Sequence, residues 1–302
     1  MVKKVIIDTD CGVDDAIAIL MAIRNGLDVK GITTLSGNTN VDQVTENVLR
    51  VLHFAGRDDI PVFKGASRPL ISDLIEGAPV HGRNGLGDVE LPPANRTCSD
   101  VSAPEAIYGI AKENPGITLI TIGPLTNVAM AINLHPELKN LLGEIVSMGG
   151  ALYKGNVTRF AEFNFYFDPE AAQFVFDSDI PLTVIPWDPI LENVILEEEL
   201  KRIILEDSKI GKLILDMEKT AIGFMERFYG IRQSVFPDPF AVSYVINPEV
   251  AKNVITGNMR MELNYNVMRG ASVLAEGERM KIVTAFNFDV FKNILVKTVS
   301  KK

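Results

Sequence analysis

From the amino terminus to about Ile185, short apolar runs alternate with longer segments whose apolar residues recur every three or four positions. Val5 to Ile7 has the β-branched character of a buried strand, and Ala16, Ile17, Ile19, Leu20 and Ile23 make one side of a helix after it. Val29 to Leu35 predicts a second strand, Val41 to Ala55 a second helix and Pro61 to Phe63 a third strand. The pattern continues with helix Ala103 to Glu113, strand Ile117 to Ile122, helix Leu125 to Leu134 and strand Ile145 to Met148. A helix opened by Asp168-Pro169-Glu170 and running through Phe176, then strand Leu182 to Ile185, completes it. Strands joined to helices by short links predict an α/β fold: an open, mostly parallel sheet covered by helices on both faces.

The rest of the chain is more helical, with Glu197 to Glu206, Ile210 to Tyr229 and Phe240 to Ile246. Met259 to Val283 reads as strand and hairpin, and Asp289 to Val299 as a closing helix. No repeat, low-complexity tract or linker divides the chain, so residues 1–302 are expected to form a single domain. Gly65 to Ser102 is a long, Gly- and Pro-rich stretch of poor periodicity, and loops of that length tend to be functional. Its three glycines after His81 invite mobility, but with no strand before and no helix after they are not a dinucleotide fingerprint.

The polar positions concentrate chemistry at one place. Asp8, Asp10, Asp14 and Asp15 fall within Asp8-Thr9-Asp10-Cys11-Gly12-Val13-Asp14-Asp15, between the first strand and the first helix. In an open α/β sheet, ligands bind outside the carboxyl ends of the strands. Gly12 eases the turn, and Asp14 and Asp15 face the N–H groups of the first helical turn. One Asp there is explained as a cap, but four acids in eight residues repel one another and call for a cation. Oxygen ligands alone favour Ca²⁺ or Mg²⁺ over zinc.

Composition narrows the class. Hydrophobic residues make up 47% of the chain, enough for a sizeable core, and the net charge of −9 argues against a nucleic-acid surface. The apolar run before Asp8 is too short for a signal peptide, and no stretch is long enough to cross a membrane. Cys11 and Cys98 make no disulfide framework and read as thiols in a reducing cytoplasm. Cys11 beside carboxylates is no nucleophile without a base.

The acidic motif resembles the signature of the inosine-uridine type nucleoside hydrolases, which split the N-glycosidic bond of nucleosides. Further matches follow in the family's order: Gly37-Asn38, His81-Gly82 with Gly85-Leu86-Gly87, Gly123 to Asn127, Met148-Gly149-Gly150, Asn156, Ala161 to Asn164, Asp168-Pro169-Glu170 and Asp238-Pro239. The resemblance implies a Rossmann-like fold, a small-molecule nucleoside substrate, a homodimer or homotetramer and a Ca²⁺ at the pocket floor. It implies that Asp10, Asp15, Asp238 and the Thr126 carbonyl hold the ion, with Asp10 also the general base on a bound water. Asn38 would orient Asp10, and Asp8 would support it from behind. Asp14, Asn164 and Asp238 would grip the ribose 2′ and 3′ hydroxyls, and Asn156 and Glu162 the 5′ hydroxyl.

The chain departs from the pattern at Pro237, where many members carry the His that protonates the leaving base. Proline has no proton to give. The expected substitutes are His81 on its Gly-rich loop, then Tyr229 or Arg232 at the end of the long helix, or Phe236 stacking on the base. Two other readings compete. Asp8-Thr9-Asp10 also fits a haloacid-dehalogenase-like phosphatase with Asp8 as nucleophile, though no Lys stands in a phosphate-facing context. A nucleoside or ribose binder without turnover is the other, against which stands the retained Asp10.

Overall fold

A computed structural model describes residues 2–75, 77, 79–204 and 208–300 of the chain. The predicted alternation is present: β1 (Lys4–Thr9), α1 (Val13–Arg24), β2 (Asp28–Thr34), α2 (Val41–Phe54), β3 (Val62–Lys64), α3 (Ala103–Glu113), β4 (Ile117–Thr121) and α4 (Thr126–Leu134). Next come β5 (Leu142–Met148), α5 (Phe163–Phe167), α6 (Pro169–Phe176), β6 (Leu182–Ile185), α7 (Trp187–Ile190), β7 (Ile195–Leu196) and α8 (Glu197–Ile203). The chain closes with α9 (Lys209–Tyr229), β8 (Gln233–Ser234), α10 (Pro237–Ile246), β9 (Ala251–Met261), β10 (Ser272–Phe286) and α11 (Phe288–Val299). The expected helix Glu197 to Glu206 is α8, and Glu206 lies outside the described residues.

Eight strands form one sheet in the order β3-β2-β1-β4-β5-β6-β10-β9. Every pairing in it is parallel except β9 with β10, which form the antiparallel edge predicted as strand and hairpin. β1 sits in the middle, with Ile7 opposite Ile32 of β2 and Ile120 of β4. Its residues Val5 to Thr9 are buried, so the run of apolar side chains serves both faces. Val5 and Ile7 pack under α1, α2, α9, α10 and α11, whereas Ile6 faces α3, α4 and α6. The sheet order reverses direction between β1 and β4, and the crevice at such a switch is where open α/β sheets take their ligands.

Three features depart from the sequence pattern. α5 lies in what reads as polar loop, and α7 is a single turn after β6. α10 begins at Pro237 rather than Phe240, because proline is suited to the first helical position; Asp238 therefore stands in the first turn. Among the described residues no helix is long and apolar enough to cross a membrane.

Candidate active site

The floor of the site is the chain that leaves β1. Cys11 adopts a left-handed backbone (φ 23°), an uncommon conformation for a residue with a side chain, and turns the chain back under α1. Gly12 itself has φ −87°, so its lack of a side chain serves space rather than conformation. A Cβ there would lie 2.7 Å from both the Asn38 amide nitrogen and His81 Nδ1. The Thr9 hydroxyl accepts from the Cys11 N–H and donates to Asp15 Oδ1 at 2.5 Å. Asp15 Oδ2 accepts from the Gly12 N–H (2.8 Å) and the Asn38 side-chain amide (3.2 Å). Asp10 Oδ2 accepts from the Asn38 backbone N–H at 2.8 Å. Asn38 thus holds Asp10 by its backbone and Asp15 by its side chain.

Asp10 Oδ1 and Asp14 Oδ1 are buried and without a hydrogen-bond partner. Asp14, Asp15 and Asp238 each bring a carboxylate oxygen within 4.8 Å of the other two. Burial raises all four carboxyls. Asp14 and Asp15 reach about 6, the latter helped by the charge of Asp14. Asp10 is driven well above its usual range, after burial, by Asp15, and Asp238 by Asp14 and Asp15. Four acids cannot all ionise in one dry place, and the converging oxygens of Asp14, Asp15 and Asp238 are a donor set suited to a hard divalent cation; Asp10 stands beside that group rather than in it.

Above the floor opens a cavity of about 390 Å³. Asp14, Asn38, His81, Asn156, Glu162, Asn164, Tyr229 and Asp238 line it, while Asp10 and Asp15 lie beneath. Glu162 caps α5: its carboxylate accepts from the backbone N–H groups of Asn164, Phe165 and Gly150, and burial raises it to about 7. Asn156 accepts from the Phe163 N–H and Asn164 donates to the Met148 carbonyl, which ties the loop after β5 to the cavity. The far wall is α9, β8 and α7: Glu218, Ala221, Phe224, Met225, Phe228, Gln233, Val235 and Trp187.

Several sequence expectations need correction. Phe236 is fully buried, its ring 6.1 Å from that of Phe291 within the core, and cannot stack on a ligand. Arg232 is on the surface, ion-paired to Glu197 and Glu226, and does not line the cavity. His81 is in the cavity, and its loop is tied to α1 and α9 by hydrogen bonds. Gly85 and Gly87 use left-handed φ of 81° and 67°, the Gly87 N–H donates to the His81 carbonyl, and the Thr220 hydroxyl donates to the Gly87 carbonyl at 2.8 Å. His81 Nδ1 accepts from the Val13 N–H at 3.1 Å, and burial lowers the imidazole to about 4. A neutral ring with its proton on Nε2 is a hydrogen-bond donor, not an acid at neutral pH. Thr126 opens α4 with its hydroxyl donated to Asp168, and the β4–α4 turn meets Asp10 through Gly123.

Asp8 is held from Thr33 and Asn127, and burial raises it to about 7. Like Asp10 it lies off the cavity lining, but no Lys or Arg is among the described residues that line the cavity to hold a phosphate, which weighs against the phosphatase reading. Glu218, Trp187 and Gln233 were not anticipated. The one available signal was Glu218, a carboxylate on the otherwise apolar stripe of Ile214, Met217, Ile222 and Met225.

The model of the inosine-uridine preferring nucleoside hydrolases matches residues 5–293. A pyrimidine-specific ribonucleoside hydrolase of Citrobacter koseri is 37% identical over 257 residues, 84% of this chain and 82% of that one. Among solved structures, a plant nucleoside hydrolase superposes with a TM-score of 0.94 at 31% identity, covering 99% of each chain. A purine-preferring ribonucleoside hydrolase of Gardnerella vaginalis gives 0.92 at 31% identity and 98% of each. With the family model matching nearly the whole chain and these relatives 31 to 37% identical over most of both chains, the chain belongs to the inosine-uridine preferring nucleoside hydrolase family.

Proposed function

We propose that this protein hydrolyses the N-glycosidic bond of ribonucleosides to free base and ribose, with Asp10 as general base on the attacking water and Ca²⁺ as the cofactor. The observation that carries the reading is the pair of buried, unpartnered oxygens on Asp10 and Asp14 below a cavity walled by polar groups on one side and aromatic groups on the other. Asp10, Asp15 and Asp238, with the Thr126 carbonyl, would hold the ion. Bound there, it would lower the pKa of a coordinated water and neutralise the floor.

The protein's own groups then divide the work. Asp10, fixed by the Asn38 N–H, takes the proton of the water that attacks the anomeric carbon, a contribution of roughly 10² to 10⁴ in rate. Asp14, Asn164 and Asp238 bind the 2′ and 3′ hydroxyls, and Asn156 and Glu162 the 5′ hydroxyl. The negative floor favours the cationic sugar of the transition state. Named relatives divide between pyrimidine-specific and purine-preferring enzymes, and the aromatic wall accommodates either base. A cytoplasmic homodimer or homotetramer goes with this reading.

Asp10→Asn separates an enzyme from a binder. Release of base should fall by about 10² to 10⁴ while a nucleoside still binds, as followed by calorimetry. Unchanged turnover would remove Asp10 from the reaction.

A further inference from the structure

A base that leaves as an anion needs a proton, and the cavity wall offers few sources. His81 is neutral with Nδ1 already accepting. Glu162 has its oxygens engaged by three backbone N–H groups. Tyr229 stands half-exposed at the end of α9. Glu218 differs from all of these. It is 1% exposed, it lines the cavity, and its Oε2 has no hydrogen-bond partner.

We propose that Glu218 is the acid that protonates the departing base, an assignment that rests on the nucleoside hydrolase reading above. As the C1′–N bond breaks, its electron pair stays with the base. The carboxyl proton of Glu218 passes to an acceptor atom of the base, and a carboxylate remains. The water gives its oxygen to C1′ and its proton to Asp10. Solvent returns a proton to Glu218 and takes one from Asp10 before the next cycle.

The surroundings suit this use. Ala221, Phe224, Met225 and Val235 line the same wall, and Glu218 is 1% exposed. Burial raises the carboxyl to about 8, against a smaller opposing pull from the neighbouring Ser234 hydroxyl, and the charge of Asp14 adds to the rise. It therefore carries its proton at neutral pH, as a general acid must. Its position is set: one turn of the helix holds both Glu218 and Thr220, whose hydroxyl bonds the Gly87 carbonyl, so α9 and the His81 loop form one wall. An unpartnered buried carboxyl in an apolar wall costs stability, and a base edge presented by the substrate would satisfy it.

The test compares the kcat/KM of Glu218→Gln and wild type on inosine, uridine and 4-nitrophenyl β-ribofuranoside, whose nitrophenolate departs without protonation. Glutamine keeps the shape but has no proton to transfer. Nucleoside cleavage should fall by about 10² to 10⁴, while the nitrophenyl riboside is cleaved at nearly the wild-type rate. Glu218→Asp, with the acid on a shorter arm, should recover part of the nucleoside rate. Nucleoside rates that do not change, or a parallel loss on both kinds of substrate, overturn the assignment. Wild-type protein that cleaves neither kind overturns the parent reading and this one with it.

Discussion

The two ends of the cavity are built in opposite ways. The acid floor comes from strand ends: Asp10, Asp14 and Asp15 follow β1, and Asn38 follows β2. Asp238, from the first turn of α10, is added to them. Asp10 and Asp15 are held there by the backbone N–H groups of Asn38 and Gly12. The aromatic wall comes from α9, β8 and α7, with α9 tied to the His81 loop by the Thr220 hydroxyl. The contrast teaches that activation of the attacking water is set at strand ends, whereas the handling of the base, its packing and its proton from Glu218, is set on a helix.

Changes at the floor should act on the chemical step. A 2′-deoxynucleoside leaves a buried hydrogen-bonding site unpaired and should be cleaved up to about 10⁴-fold more slowly than its ribonucleoside. Equal rates on uridine and deoxyuridine would show that Asp14, Asn164 and Asp238 do not grip that hydroxyl. Gly37→Ala comes next. A Cβ at Gly37 would overlap Asp10 Oδ2, displacing the carboxylate that Asn38 aligns. A shift near 1 Å should cost about 10² in kcat with little change in KM, and a parallel rise in KM would point to a wider collapse.

The aromatic side chains of the wall, unlike its Glu218, should behave otherwise. Phe224→Ala removes a ring that lines the cavity and packs 4.4 Å from Phe228. The loss of about 1 kcal/mol of aromatic contact should raise KM roughly fivefold and alter the ranking of bases, with kcat nearly unchanged. If kcat falls as it does for the floor variants, the division of labour between the two ends is wrong.

The same contrast explains what could be read from the sequence. The floor is local: Asp8 to Asp15 is one uninterrupted motif, and its strand and helix declare themselves by periodicity. The parallel sheet followed from the alternation, but the order of its strands did not, and the helix expected from Phe240 begins at Pro237 and takes Asp238 into its first turn. The wall is not local. Phe236 sits one residue before the site, yet α10 turns its ring into the core against Phe291, a choice made by packing that no spacing reveals. Arg232 finds Glu197, 35 positions away, before it can find a ligand. Glu162 reads as a ligand-binding acid and is also the cap of α5, a helix hidden in a polar stretch. Cys11 rather than Gly12 takes the left-handed turn, and Gly12 serves instead to admit Asn38 and His81.

The central claim is that the floor works as a calcium-dependent hydrolytic centre. Release of free base and ribose from inosine, adenosine, guanosine, uridine and cytidine, measured with calcium and after its chelation, tests it most directly. Release that chelation abolishes and added calcium restores is the predicted result. Cleavage indifferent to chelation would contradict the role given to the ion, and no cleavage of any nucleoside by the calcium-loaded protein would contradict the hydrolase itself.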